Sequence, residues 1–547
     1  MKKVVRDPGS QRNTGLCVSW KCARDYAILI LWLAPTLAVF DPPLLSQRNA
    51  SADAQTHAER GLQLAQEGDL NGAEKEFRNA SALAPKDAEI LSSFGTVLAM
   101  QKKFDESTVI LQRAVKLSPG DITTRRYLAA NLWQLRRFPE ARANLEVLLK
   151  QKPDDRQARL LLGMVAENTR DYSTAVRMLS SVPDQVRQQP ESVAALARSY
   201  YHLGQTQNAR NTLAQLSGIE PVLLGAEIAD QMHDYQTAER MLQSLQTQSP
   251  RDANLAYRLA SVQYHAGKFA ASHQALVAAV NDDHPTWQIY NLLGWCYYRL
   301  NQPKEAVEAL NQAMALAPQE EANYVDLTTM LVAMNSLPAA LAAARKGSDA
   351  LPQSGKLFEL RGSIELKAGQ FTDAVKSYEE ARRLDPNSGG AVAGLGEAQF
   401  SAGLPKQAVA TFESGLKEFS KDPQIRLSYG TALLKQAEGG NNEAARKAEE
   451  MFRTALSMAP DSAVAHYQLG KITLEKGNVL GAIQHLEQAV KLNPNSKEAH
   501  FSLARAYRRA ARNQDSAREM DIYQKLTTSP PNSVSPVPHS IAEQSSH

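Results

Sequence analysis

WQIYNLLGWCYYRLNQPKEAVEALNQAMALAP, residues 287–318, sets its apolar side chains at helical spacing. Tyr290, Leu293, Gly294 and Tyr297 fall at i, i+3, i+4 and i+7, the stripe of one helix. After the turn residues Asn301-Gln302-Pro303, Ala306, Leu310 and Ala313 trace a second stripe, which Pro318 ends. The stretch therefore predicts two short antiparallel helices. The plan repeats along the chain: Pro85, Pro119 and Pro153 stand 34 residues apart, as do Pro318, Pro352 and Pro386, and also Pro460 and Pro494.

Aligned on this period, the chain divides into fourteen units. The eighth residue of each, from Gly61 and Gly95 to Gly470 and Ala504, is Gly or Ala in every unit but one, where it is Thr328. The twelfth residue after it, from Ala73 and Ser107 to Ala482 and Ser516, is never larger than Ser, with Ala448 taking this place after a longer gap in the unit of Gly430. Small residues at two fixed places mark points where the axes of paired helices approach closely. Two steps between eighth positions depart from 34: 29 residues from Ala197 to Ala226, and 40 from Gly430 to Gly470. The shorter step is expected to distort the stack locally, and the longer one to add to a loop or helix.

Tyr290-x2-Leu293-Gly294-x2-Tyr297, followed by Ala306-x3-Leu310 and Pro318, resembles the motif of the tetratricopeptide-repeat family, with Tyr for Trp and Leu for Phe. Ala73-x3-Phe77 with Pro85, and Ala448-x3-Phe452 with Pro460, match the second half of that motif outright. The resemblance implies an all-α fold, a right-handed α-solenoid of stacked antiparallel helix pairs over residues 54–528. A leader (1–53) and a Ser- and Pro-rich tail (529–547), the latter expected to be disordered, flank it.

The 61 basic and 58 acidic side chains give a net charge of +3, without the basic excess of a nucleic-acid-wrapping protein. The first 52 residues hold seven basic side chains against three acidic ones, so the body is close to neutral. Within the leader, residues 27–40 (AILILWLAPTLAVF) form an apolar run too short to span a bilayer as a helix. Overlapping small-x-small patterns follow at Ala50-Ser51-Ala52 and Ala52-Asp53-Ala54. This predicts export, to a periplasm or the outer face of a membrane, through a signal peptide. An uncleaved anchor over 27–40, or a cytoplasmic chain with a spurious leader, are the alternatives. Cys17, Cys22 and Cys296 are the three cysteines, so the body has no pair for a disulfide.

Repeats fill the chain and leave no room for a separate catalytic domain. There is no HExxH, GxxxxGK[ST], GxSxG or CxxC motif, so no enzyme activity and no cofactor are expected. Eleven His are scattered; His265 and His273, eight apart, are read as surface or core residues and not as metal ligands. The resemblance implies a concave groove lined by positions 2, 5, 9, 12 and 13 of each unit. In units five to eight these positions hold Arg198, Tyr201, His202, Tyr257, Tyr264, His265, Asn291, Trp295, Tyr298 and Arg299, with Arg258 beside them. Tyr, Trp and Arg are the types enriched where proteins bind proteins. Against this, Trp295 and Tyr298 adjoin the core stripe and could pack between neighbouring helices. The expected function is a non-enzymatic scaffold for protein or peptide partners, acidic or aromatic ones above all, serving envelope assembly or secretion. The alternative is an accessory subunit that presents substrate to a separate enzyme such as a glycosyltransferase.

Overall fold

A computed structural model describes residues 52–281, 285–438 and 441–528. The leader's apolar run and the tail lie outside them. Among the described residues there are 29 α-helices and no strand. Twenty-eight form fourteen antiparallel pairs, from Ala52–Gln66 with Leu70–Leu83 to Lys497–Arg509 with Asn513–Thr528. The other, Pro183–Arg187, is a short turn of helix after the truncated Tyr172–Ser180.

Three local devices repeat. The first helix of a pair is opened by a capping side chain: Asp87, Asp121, Asp155, Asp252, Ser354, Ser388, Ser462 and Ser496 each accept a hydrogen bond from a first-turn N–H. Each stands two residues after a proline, so the chain leaves one pair extended and enters the next already capped, worth about 1 kcal/mol per cap. The first helix closes on a left-handed residue at position 15. Gly68, Gly204, Gly267, Gly369, Gly403 and Gly477 occupy this place in six pairs, and Lys102, Arg136, Arg170, His233, Asn301, Asn335 and Ala511 in seven more. Glycine adopts this conformation without strain, and the other residue types pay about 1–2 kcal/mol for it.

The third device is close approach. A Cβ added to Gly163 would stand 2.5 Å from Leu179, one on Gly294 2.8 Å from Leu310, and one on Gly396 2.5 Å from the Phe412 ring. Position 8 thus receives the large side chain of position 24 from the second helix. Position 20 lies beside this contact and is buried in thirteen pairs; in the twelfth, with its longer helices, buried Ala448 takes its place. Where it is serine, the hydroxyl is used: Ser107 donates to the Gly95 carbonyl at 2.5 Å, Ser272 to that of Ala260 at 2.7 Å, and Ser516 to that of Ala504 at 2.9 Å. A serine there bridges the two helices and leaves no buried donor unmet.

Contacts divide the chain into two compact units that meet within helix Tyr235–Gln246, at Met241 and Leu242. The N-terminal unit has its core in clusters around Phe77, Leu132 and Val193. The C-terminal unit has its largest around Trp295, Leu310 and Met330, with others around Phe412 and Leu486. The two departures from the period take different forms. At the shorter step, helix Thr206–Leu213 has only eight residues and Gly218 turns at φ 87°. At the longer step the residues extend both helices, to fifteen in Pro423–Ala437 and seventeen in Asn442–Met458.

Gly396→Ala should cost about 1–3 kcal/mol through overlap with Phe412. Amide exchange across residues 389–418 is expected to speed up accordingly, and the penalty should shrink in a Phe412→Leu background. An equal penalty in both backgrounds would show that the close approach is not its origin.

Candidate functional site

Arg198, Tyr201 and His202 lie in the N-terminal unit, on helix Pro190–His202. Each already has a partner. Arg198 Nε donates to Glu167 Oε1 of the preceding pair at 2.6 Å. The exposed His202 ring stacks on Tyr172, with centroids 4.1 Å apart and planes 12° from parallel. Tyr201 OH donates to Asp234 Oδ2 of the following pair at 2.8 Å, and Arg210 forks onto the same carboxylate at 2.7 and 2.9 Å. Burial works to raise the Asp234 carboxyl, but the Arg210 fork and the Tyr201 hydroxyl outweigh it and hold the group below the usual carboxylate range. Burial and the same carboxylate push the Tyr201 phenol well up. These contacts tie successive pairs together.

The other eight residues belong to the C-terminal unit, on helices Ala253–His265 and Trp287–Arg299. Their positions separate an inner from an outer set. Trp295 is wholly buried among core side chains, and Tyr264 and Tyr257 are 5% and 8% exposed. Asn291 is also fully buried, and its Nδ2 donates to Asn323 Oδ1 and Asp326 Oδ2 at 2.9 Å each. These four hold the seventh, eighth and ninth pairs together and cannot meet a partner unless the pairs open. Arg258, His265, Tyr298 and Arg299 form the outer set, each partly exposed. Arg258 Nε donates to Asn254 Oδ1 at 3.2 Å. The Tyr298 ring stands edge-on to Trp295, 5.9 Å between centroids.

Arg299 joins the two pairs. Its guanidinium lies 4.0 Å over the Phe269 ring and 6.0 Å from the centre of Tyr264, whose own ring meets Phe269 edge-on at 5.1 Å. A guanidinium over aromatic faces contributes about 0.5–2 kcal/mol and keeps its outer N–H groups available. Phe269 opens the second helix of its pair, outside the groove positions, and so was not among the expected residues. Asn323 and Asp326 were missed as well, since they stand at positions 3 and 6, neither of them a groove position.

The Cys296 thiol is buried and pushed up to about 12, which leaves it unreactive. Among the described residues no group of three or more His, Cys, Asp or Glu could hold a metal ion, and no helix is long and apolar enough to cross a membrane. His265 and His273 are both partly buried, and His273 meets the Tyr297 ring edge-on at 4.8 Å.

Comparison with known proteins gives repeated matches to one architecture. Tetratricopeptide-repeat families match residues 98–165, 132–198 and 365–435, then 331–389 and 437–489, and 195–219. A TPR-repeat family matches 470–509, and the family of anaphase-promoting complex, cyclosome, subunit 3 matches 231–322. Protein FlbA of Caulobacter vibrioides is 24% identical over 209 residues, 37% of this chain and 33% of that protein. Anaphase-promoting complex subunit 7 of Arabidopsis thaliana is 30% identical over 185 residues, 34% of this chain and 32% of that protein. Protein O-mannosyl-transferase TMTC3 of Homo sapiens is 23% identical over 239 residues, 40% of this chain and 26% of that protein. The chain thus spans about a third or less of each of these relatives. Among solved structures, yeast Tom70 aligns over 90% of this chain and 95% of its own at 15% identity, with a TM-score of 0.39. The Cut9–Hcn1 structure aligns over 87% and 99% at 13% identity, with a TM-score of 0.33.

Asp234→Asn should destabilise the N-terminal unit near neutral pH. Because the folded carboxyl sits below its unfolded value of about 3.9, that stabilisation is present above pH 4 and lost as the pH falls further. Denaturation of wild type and variant from pH 7 to pH 3 should converge; a gap that persists at low pH would contradict the assignment.

Proposed function

The chain belongs to the tetratricopeptide-repeat family, and from that premise we propose that it is a non-enzymatic scaffold that holds protein partners. The observation that carries this reading is the outer set on successive first helices, Arg258, His265, Tyr298 and Arg299, raised on a core that fixes their spacing. Buried Trp295 and Tyr264 serve as its foundation. Guanidinium groups beside aromatic rings favour a partner segment that offers carboxylates together with apolar or aromatic side chains. Likeness to a subunit of the anaphase-promoting complex supports work within an assembly.

The finer reading is export followed by a role in envelope assembly or secretion. It rests on the basic stretch and the apolar run at 27–40. Cleavage after Ala52 would suit the fold, since Ala54 is buried in the first pair and belongs to the folded body. N-terminal sequencing of the protein recovered from its native cells should then begin near Asp53, and a chain that still begins at Met1 in the cytosol would refute export. A second reading, an accessory subunit presenting substrate to a transferase, draws on the likeness to TMTC3.

Affinity capture from the native source tests the scaffold. The combined variant Arg258→Ala, Tyr298→Ala, Arg299→Ala should keep its helical content and lose at least tenfold in the amount of specific partner retained, equivalent to about 1.4 kcal/mol. Undiminished capture by this variant would reject the outer set as the binding surface. For the second reading, the same variant should also slow turnover by the captured enzyme.

A further inference from the structure

Position 4, in the first turn of a first helix, faces position 23 on the second helix of its own pair. In the first and last pairs the two are His and Glu: His57 Nδ1 lies 2.6 Å from Glu76 Oε2, and His500 Nδ1 lies 2.6 Å from Glu519 Oε2. In the third pair they are Arg125 and Asn144, in contact at 3.3 Å. The thirteenth pair differs. There His466 faces a second imidazole, His485, with Nδ1 to Nδ1 at 3.1 Å and ring centroids 5.3 Å apart.

Proton positions follow from the surroundings. His466 Nε2 is 3.2 Å from the Pro460 carbonyl oxygen, which can only accept, so this nitrogen carries the proton of neutral His466. Its Nδ1 is then a bare lone pair aimed at His485. His485 must supply the proton between them from its own Nδ1. His485 is partly buried beside His466, and metal binding takes each imidazole in its neutral form.

We propose that His466 and His485 form a two-imidazole site for a borderline divalent transition-metal ion of the zinc or nickel class, clamping the helices Ala463–Glu475 and Val479–Leu492. Nitrogens bound at about 2.0–2.1 Å to one ion stand about 3.3 Å apart at the tetrahedral angle and about 2.9 Å apart at a right angle. The observed 3.1 Å falls between these values. The His–Glu pairs, at 2.6 Å, are too close to bracket an ion. The Pro460 carbonyl supplies what a ligating imidazole needs behind it, an acceptor that fixes the tautomer and the ring orientation.

Both rings are partly exposed, so water completes the coordination. On binding, two metal–water bonds break and two metal–nitrogen bonds form. The proton on His485 passes through solvent from Nδ1 to Nε2, and none is released overall at neutral pH. Arg453 of the preceding pair is engaged by Glu449 at 2.7 Å, which tempers its repulsion of an arriving ion.

The test is calorimetric titration of the full chain with zinc chloride in chelator-free buffer, beside the variants His466→Gln and His485→Gln. Asn144 in the third pair shows that an amide is accommodated at position 23. Each variant should lose the same one equivalent of bound zinc. With free zinc ten times above the dissociation constant, amide exchange within residues 463–492 of the wild type should slow by about tenfold. Unchanged zinc stoichiometry in either variant, or exchange in that segment indifferent to zinc in the wild type, would overturn the proposal.

Discussion

The whole architecture depends on two helix axes being able to approach until the side chain at position 24 lies against a residue with little or no side chain at position 8. Gly163 under Leu179 and Gly396 under Phe412 show how little room is left. Interiors are packed too densely for one larger group to be absorbed without displacement. Each pair can therefore present a flat enough flank for the next pair to stack on. Capped starts and left-handed stops set the lengths of the helices, and the close approach sets the distance between them.

Most of this was legible in the sequence because the period is written in residues with single physical meanings. A proline cannot continue a helix, and a glycine or alanine at position 8 cannot separate one. The fourteen pairs and both departures from the period could be located from those residues alone. The left-handed stop was harder to read. Six of its thirteen residues are glycine, but Lys102, Arg136 and Arg170 look like ordinary surface residues, and only their backbone reveals the role. The truncated helix at Tyr172–Ser180 was hidden too, since the extra turn Pro183–Arg187 restores the count of 34.

The candidate site was legible only as a set of positions. Groove positions state which way a residue points relative to its own helix, but burial is decided by the next pair, about thirty residues further along. Trp295 and Tyr298 are three residues apart on one helix. The first is fully buried in a core cluster that includes Leu327 and Met330 of the following pair, while the second stays partly exposed. The partners of Arg198 and Tyr201 lie 31 and 33 residues away, beyond the reach of any local pattern. The same limit applied to the position 4 and position 23 joints, where the two members are 19 residues apart and their chemistry shows only when they are read as couples.

Among the described residues, the main contacts of each helix within a unit are with its own pair and the adjoining one. Such a chain has no central keystone. Pulled from its ends, each unit would yield as a series of separate links, with a sawtooth of rupture events in place of one collapse. The fully buried Trp295 and its neighbours would give the strongest link, and the pairs with shortened helices, Tyr172–Ser180 and Thr206–Leu213, the weakest. A protein built this way can bear tension and recover its length, with the damage of any single rupture confined to where it occurred.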